Sequence, residues 1–256
     1  MLQARRSQIV NKITEERMVK VSDLMQEFNV SIETIRRDLE YLEKQGYLKR
    51  VYGGAVLEGL YSLEPAYEHR EIINYREKQA IAVKTAGLIE DGDTVFLDVG
   101  TTTLEVAHHL VEKKNLTVIT NASLIAHSLI TNETCRVFLL GGEMRRGELS
   151  MSGFLCDACL QYFHANKAVI GVGGITISGG ITDYHTEEAN NRRTMINHAD
   201  KVIAVADYSK FGVTAMNSVC GIDRIHLLVT DWSTPSKVVA EYRSAGLNVS
   251  VAPQLV

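Results

Sequence analysis

Residues 21–55 read VSDLMQEFNVSIETIRRDLEYLEKQGYLKRVYGGA. Val21, Leu24, Met25 and Phe28 fall at helical spacing, and Ser22 is the expected N-cap. A polar break follows at Asn29. Ile32, Ile35, Leu39 and Leu42 then recur at three- and four-residue intervals, which predicts a second helix with one buried face. Ser31 is placed to cap that helix and Gly46 to end it. Thr34, Arg36 and Arg37 lie off the apolar stripe in its first turns. Two short helices, the second with basic and hydroxyl groups on its exposed N-terminal half, describe a helix-turn-helix with its recognition helix. Residues 47–52 are rich in strand formers, and Gly53-Gly54 turns them back. This reads as the wing of a winged helix, with Lys49 and Arg50 near DNA phosphates.

A helical packing module with charged faces would show the same amphipathicity. The combination favours DNA: turn spacing, Arg36-Arg37 at the helix start and a basic hairpin behind it. Arginine suits guanine edges and phosphates, and threonine reaches either. The DNA-facing set is Ser31, Thr34, Arg36, Arg37, Lys49 and Arg50. An earlier helix over residues 3–16 turns Ile9, Val10 and Ile13 inward.

The run SIETIRRDL over residues 31–39, followed by Gly46 and by RVYGGA over 50–55, resembles the N-terminal domain of the DeoR family of bacterial sugar-operon regulators. Arg6 and Ile9 fit the same pattern. Tyr52 departs from it, because many members carry His there.

The chain has 256 residues, enough for a small and a large domain. It is 45% hydrophobic with three prolines, the composition of an ordered globular protein. No apolar run approaches the roughly twenty residues of a membrane span, and the N-terminus lacks a signal-peptide core. A cytoplasmic protein is expected. Net charge is −4, which excludes a wholesale nucleic-acid coat. Residues 1–60 hold ten basic and nine acidic residues, and the remainder seventeen and twenty-two. The DNA-binding part is only mildly basic, so two copies of it are expected to act together, in a homodimer or homotetramer.

Cys156 and Cys159 form a CxxC. With Leu160 and Phe163 they fall at i, i+3, i+4 and i+7, the buried stripe of a helix, and no second pair completes a zinc set. No metal is expected.

A linker with Gly59 and Pro65 precedes a long helix over 68–90, stopped by Asp91-Gly92-Asp93. Short β-branched runs then alternate with helical stretches: 94–97, 116–119, 137–140, 168–172, 202–206, 225–229 and 247–251. Continuous apolar runs flanked by helices imply a parallel sheet covered on both faces, an α/β Rossmann-like domain. The expected organisation is a winged helix-turn-helix over 1–56, a linker and the start of a connecting helix over 57–74, and an effector domain over 75–256.

In open α/β sheets ligands bind at the carboxyl ends of strands. Those ends carry Asp98 with Gly100, Asn121, Gly141-Gly142, Gly173-Gly174, Asp207 and Asp231. The 98–103 run, DVGTTT, joins a strand to a helix expected to begin near Thr102. Gly100, Thr101, Thr102 and Thr103 form an anion site at a helix N-terminus, suited to phosphate. The run is neither a Walker loop nor a GxGxxG fingerprint, so no nucleotide cofactor is indicated. A threonine-capped helix is the competing reading. Asn121 suits a sugar hydroxyl. Gly142 and Gly174 allow close backbone approach, with Arg145 beyond the first. Lys210 sits past a strand end. Glu187 and Glu188 open a helix, and His185 beside them reads as a surface residue.

The 98–103 loop, Thr120-Asn121, Leu140-Gly141-Gly142, Gly173-Gly174, Glu187-Glu188 and SKFG over 209–212 are similar to the effector domain of the same DeoR family. The resemblance thus spans nearly the whole chain. It implies a fold similar to ribose-phosphate isomerases, a phosphorylated sugar as effector, and Asp98, Thr101, Thr102, Glu188 and Lys210 as pocket residues. The function expected is a transcriptional regulator, a repressor of a sugar-metabolism operon, that binds double-stranded operator DNA. The alternative is a sugar-phosphate isomerase with an accessory domain, using Asp98, Glu187 or Glu188 as base and Lys210 as cation. An isomerase has no use for a helix-turn-helix, so no catalytic residue is assigned.

Overall fold

The computed structural model describes residues 2–16, 18–44, 47–56 and 64–255. Gly46, expected to end the recognition helix, and the linker residues 57–63 with Gly59 lie outside the described residues. The chain divides into two compact units, Met1–His69 and Arg70–Val256.

The first unit contains α1 (Leu2–Glu16), β1 (Met18–Lys20), α2 (Val21–Phe28), α3 (Ile32–Lys44), β2 (Lys49–Val51) and β3 (Gly54–Val56). Its core gathers Ile9, Ile13, Val19, Leu24, Ile35, Leu39, Leu42, Tyr47 and Leu48. These are the apolar positions of the three helical stripes, the inward residue of β1, and Tyr47 and Leu48 just ahead of β2. Asn29 ends α2 in the left-handed conformation, with φ 50°, and its N–H reaches the Met25 carbonyl. Ser31 caps α3: its Oγ accepts the Thr34 N–H at 3.3 Å.

Three expectations change here. Ser22 is not a cap: α2 begins at Val21, after Lys20, and the Ser22 hydroxyl donates to Asp23 instead. The wing sheet has three strands in the order β1-β3-β2, because Met18–Lys20 pairs with β3. Only Gly53 serves the turn, at φ +80°, while Gly54 is in β3. A Cβ on Gly54 would lie 2.1 Å from the Val19 carbonyl oxygen.

Asp38 is the charged residue that holds α3 to α1. It is 1% exposed and accepts from Arg5 Nε and Arg6 Nε, each at 2.7 Å. The Arg6 guanidinium also lies 3.7 Å over the Tyr41 ring. Asp38→Ala would leave two largely buried guanidinium groups without their counter-ion. It is expected to destabilise this unit by about 2–4 kcal/mol, read as a lower first transition in a calorimetric melt of the full chain. An unchanged transition would show that the pair contributes nothing net.

The second unit contains α4 (Tyr67–Ile72, which begins in the first unit), α5 (Tyr75–Ala86), β4 (Thr94–Leu97), α6 (Thr101–Leu110), β5 (Thr117–Thr120), α7 (Ser123–Leu129), β6 (Arg136–Leu139), β7 (Glu143–Arg145), β8 (Ser150–Ser152) and α8 (Phe154–Leu160). There follow β9 (Ala165–Gly171), β10 (Gly174–Thr176), β11 (Gly180–Asp183), α9 (Thr186–Asn197), β12 (Ala199–Val205), β13 (Asn217–Cys220), β14 (Leu227–Asp231), α10 (Ser236–Ser244) and β15 (Val249–Ala252).

Seven strands form one parallel sheet in the order β15-β14-β12-β9-β4-β5-β6. These are the seven apolar runs of the sequence. The chain builds outward from β4 through β5 to β6, then returns to β9 on the other side of β4 and builds the opposite way. The order therefore reverses between β4 and β9, and the crevice at their carboxyl ends is where such sheets bind ligands.

The helix expected over 68–90 is two helices. Asn74 adopts the left-handed conformation, with φ 54°, between α4 and α5, and α5 ends at Gly87 rather than at Asp91. The hairpins β7-β8 and β10-β11 and the strand β13 paired to β11 were not read from the sequence. Cys156 is buried in α8 and Cys159 packs against the core. Among the described residues, no helix is long and apolar enough to cross a membrane.

Candidate functional site

Asp98 follows β4 and Gly171 ends β9, one on each side of the switch point. Asp98 is fully buried. Its Oδ2 accepts the Gly171 N–H at 3.0 Å and Arg192 Nε at 2.5 Å. Arg192, from α9, also donates through Nη1 to Asp183 at the end of β11 and through Nη2 to the Val99 carbonyl at 3.4 Å. Glu188, one turn back on α9, lies 4.0 Å from Nη2. Arg192 thus ties the tip of β4, the end of β11 and α9 into one rigid knot. Burial pushes the Asp98 carboxyl up to about 6 against the pull of Arg192.

Arg145 of β7 reaches Glu188 Oε1 with Nη1 at 3.0 Å, and Ser150 Oγ of β8 donates to the same oxygen at 3.0 Å. Glu187 turns to the other end of β8, where Ser152 Oγ donates to it at 3.0 Å. Asn121, after β5, donates from Nδ2 to the Met151 carbonyl at 3.1 Å. The β7-β8 hairpin therefore folds over the sheet tips and joins Arg145, Glu187, Glu188 and Asn121 around itself.

Gly100 precedes α6 as its N-cap, and no side chain caps the helix. The helix begins at Thr101, one residue earlier than expected. Thr103 is buried, and its hydroxyl is committed to the Gly100 carbonyl at 3.0 Å. The competing threonine-cap reading is thereby replaced, and the first turn keeps its positive end open beside Thr101 and Thr102.

The glycines at two other tips serve the fold. A Cβ on Gly142 would lie 2.5 Å from the Ser152 carbonyl oxygen, and one on Gly174 2.5 Å from that of Val213. Close approach there is to the chain's own backbone. His185 is half-buried rather than on the surface, as the N-cap residue of α9.

Lys210 sits on the 3-10 turn after β12, next to β9 in the sheet. Asp207 precedes it. Its Oδ1 accepts from Ser209 N at 3.0 Å, Ser209 Oγ at 2.5 Å and Asn74 Nδ2 at 3.0 Å. Burial alone would raise its carboxyl, but Lys210, Lys78 and the Ser209 bonds hold it below the usual range. Lys78, which the sequence reading passed over, is buried in α5. Its ammonium donates to the carbonyls of Arg70 and Ile73, the latter at 2.6 Å, and burial lowers it to about 8.

The structure thus brings Asp98, Gly100, Thr101, Thr102, Asn121, Arg145, Glu187 and Glu188 to adjacent tips, with Lys210 after β12, two strands from β4. Asp183, Ser150, Asn191 and Arg192 join them unannounced by motif. In the first unit, Arg36 and Arg37 are exposed on α3, with Ser31 exposed and Thr34 half-buried ahead of them. Ser31 and Thr34 share a hydroxyl contact of 3.1 Å. Lys49 is exposed on β2. Arg50 is held by Glu43 of α3 through its backbone N–H and its Nε, each at 2.7 Å, so it braces the wing against the recognition helix.

Comparison with known families matches residues 5–58 to the DeoR-like helix-turn-helix domain and residues 73–232 to the DeoR C terminal sensor domain. The chain belongs to the DeoR family. It is a DNA-binding transcriptional regulator with a sensor domain. This DeoR-family chain is similar over nearly its full length to curated relatives. The transcriptional repressor AccR of Agrobacterium fabrum is 35% identical over 91% of this chain and 90% of its own. The glycerol-3-phosphate regulon repressor of Escherichia coli is 33% identical over 92% and 93%. GolR of Listeria innocua, an HTH-type transcriptional regulator, is 32% identical over 97% and 98%. Among solved structures, ribose 5-phosphate isomerase A from Methanocaldococcus jannaschii aligns at TM-score 0.41 and 14% identity, over 54% of this chain and 55% of its own.

Proposed function

We propose that this regulator represses a sugar-metabolism operon and is released by a phosphorylated sugar bound at the β4-β9 switch point. One observation carries the reading. The N-terminus of α6, after β4, and Lys210, after β12 two strands away on the same edge of the sheet, supply positive charge for a phosphate, and the Asn121 amide follows the neighbouring β5 for hydroxyls. The name of the E. coli relative, a glycerol-3-phosphate regulon repressor, agrees with that chemistry. Asp98, Gly100, Thr101, Thr102, Asn121, Arg145, Glu188 and Lys210 are the effector residues of this reading, and Glu187, Gly142 and Gly174 shape their supports. Turnover is not part of it, because an isomerase has no use for a helix-turn-helix, and a site on an enzyme-like fold does not imply catalysis.

Operator contacts fall to Arg36, Arg37, Thr34, Ser31 and Lys49, with Arg50 positioning the wing. The domain boundaries follow as a DNA-binding part over 1–56, a connector over 57–74 and a sensor over 75–256, acting in the cytoplasm. Two or four copies pair their reading heads on operator half-sites. Phe154 and Leu155 of α8 and Met144 of β7 are exposed apolar side chains of neighbouring elements, suited to burial between subunits.

A thermal-shift screen tests the effector. One phosphorylated sugar is expected to raise the melting temperature while its unphosphorylated parent does not. At a hundredfold excess over Kd the stabilisation is about 2.7 kcal/mol. Lys210→Ala should remove most of that shift, and any fall in the unliganded melting temperature from the loss of its hold on buried Asp207 is read separately in the ligand-free sample. Stabilisation by parent and phosphate alike would sink the phosphate assignment.

A further inference from the structure

Helix α9 turns a polar face inward. Glu188, Asn191 and Arg192 are buried beside Ala189, Met195 and Ile196. Ion pairs account for Glu188 and Arg192. Asn191 has no such explanation. Its Nδ2 donates to the Met151 carbonyl at 3.2 Å, and its Oδ1 is buried with no hydrogen-bond partner.

Asn121 does the same from the end of β5. Its Nδ2 donates to the same Met151 carbonyl at 3.1 Å, and its Oδ1 is likewise buried and without a partner. Both residues are 0% exposed. Asp98 Oδ1 is a third such oxygen at the same sheet tips. The Met151 carbonyl fixes both amides: turning either over would set oxygen against oxygen. The Cys156 thiol interacts with Asn191, but a thiol is a weak donor and an amide oxygen has two lone pairs.

A buried acceptor without a donor calls for an explanation in a native fold. Packing gives none, since an apolar side chain at 191 would suit the neighbouring Ala189 and Met195. Asn191 Oδ1, Asn121 Oδ1 and Asp98 Oδ1 are three acceptors awaiting donors, and that defines the missing chemistry at these amides. Phosphate oxygens are acceptors and do not fit. Hydroxyl groups donate and do.

We propose that Asn191, together with Asn121, reads the hydroxyl groups of the effector, which makes Asn191 a specificity-determining residue of the sensor. The polyhydroxy part of the ligand lies against these amides, and its charged end lies toward the α6 N-terminus. This assignment rests on the phosphorylated-sugar reading above and extends it to which sugar is accepted.

The test titrates the full chain with phosphorylated sugars and polyols, their single-deoxy counterparts, the unphosphorylated polyols and inorganic phosphate. For the tightest compound, removing the hydroxyl that Asn191 reads is expected to weaken wild-type binding on the order of tenfold to a hundredfold. In Asn191→Ala that penalty should vanish, and the affinity for inorganic phosphate should stay unchanged. Asn121 still serves the Met151 carbonyl, so the variant is expected to fold. Asn191→Ser is the second variant if it does not.

If every deoxy penalty in the variant equals that of wild type, Asn191 reads nothing. The same conclusion follows if the substitution weakens inorganic phosphate as much as the sugar phosphate. Binding of sugar phosphates with no hydroxyl dependence would overturn this inference and leave the phosphate reading standing. Binding of free polyols, lost in Asn191→Ala, with no preference for phosphate would do the reverse. If no sugar, polyol or phosphate binds, both fall.

Discussion

Arg192→Ala is expected to cost the sensor domain roughly 3–5 kcal/mol, because it leaves buried carboxylates without their shared cation. Asp98 Oδ2 loses its 2.5 Å partner, Asp183 loses the Nη1 bond, and Glu188 keeps only Arg145 and Ser150. Asp98, Asp183 and Glu188 are at most 2% exposed, so water cannot take over. For a unit of this size such a loss lowers the melting temperature on the order of 10 °C, read as the sensor's own calorimetric transition. The variant should also lose its effector response, since Arg192 sets the 98–100 loop against α9. Arg192→Lys supplies one charge but no fork, so it should recover only part of either property. A melting temperature within a degree or two of wild type would mean that the knot contributes little.

The same variant should show a pH signature. In the wild type, burial holds the folded Asp98 carboxyl at about 6, above its ordinary 3.8. Between those values the folded form takes up the proton more readily than the unfolded chain. The stability Asp98 contributes in this way is therefore complete below 3.8 and is lost as pH rises through about 6. Removing Arg192 takes away the cation that pulls the carboxyl down, so its folded value climbs further. The deficit of Arg192→Ala relative to wild type should grow as pH rises above about 6 and shrink toward pH 5. A deficit that does not vary with pH would place the cost elsewhere than in the Asp98 pair.

The seven sheet strands were legible because each is a run of β-branched residues too long for a turn and bounded by helical spacing. The break at Asn74 was not, because apolar positions continue at helical intervals on both sides of it and a left-handed φ leaves no mark in periodicity. The hairpin strands β7, β8 and β10 are three residues each, without an apolar run to announce them. At the site, the strand-tip rule pointed to Asp98, Asn121 and Lys210, and the helix start at 186–188 pointed to Glu188. It assigned Gly142 and Gly174 to a ligand when backbone carbonyls of the chain fill those spaces. It passed over Asn191, Arg192 and Lys78, since charged and amide side chains on a helix are ordinarily placed in solvent. The missed signal was there: Glu188, Ala189, Arg192, Met195 and Ile196 share one face at three- and four-residue spacing, so a polar set rides on an apolar stripe. The recognition helix was easier, because its polar residues do face outward, apart from Asp38.

That inward turn of Asp38 bears on the second large effect, in the reading head. Arg36 and Arg37 are exposed on α3, while the adjacent carboxylate is committed to Arg5 and Arg6 on the other side of the helix. No neutralising bond from Asp38 reaches the DNA-facing side. Arg37→Ala is expected to cost about 1–3 kcal/mol per operator half-site, roughly a five- to 150-fold loss for each. Being exposed, the residue should leave the melting temperature almost unchanged, within about 0.5 kcal/mol of stability. A gel-shift titration at fixed salt reads the loss, and repeating it across salt concentrations shows its kind. If Arg37 reads a base edge, operator affinity falls while binding to unrelated duplex holds, so the specificity ratio narrows. If it neutralises a phosphate, both fall together and the salt slope shrinks by about one per half-site. Arg50→Ala provides the contrast, because Arg50 spends its Nε and its backbone N–H on Glu43. Its removal should loosen the wing more than it reduces the charge on the DNA, so salt dependence should change less than for Arg37. Equal operator binding by Arg37→Ala and wild type would remove this residue from the reading head and shift the contact to Arg36 and Thr34.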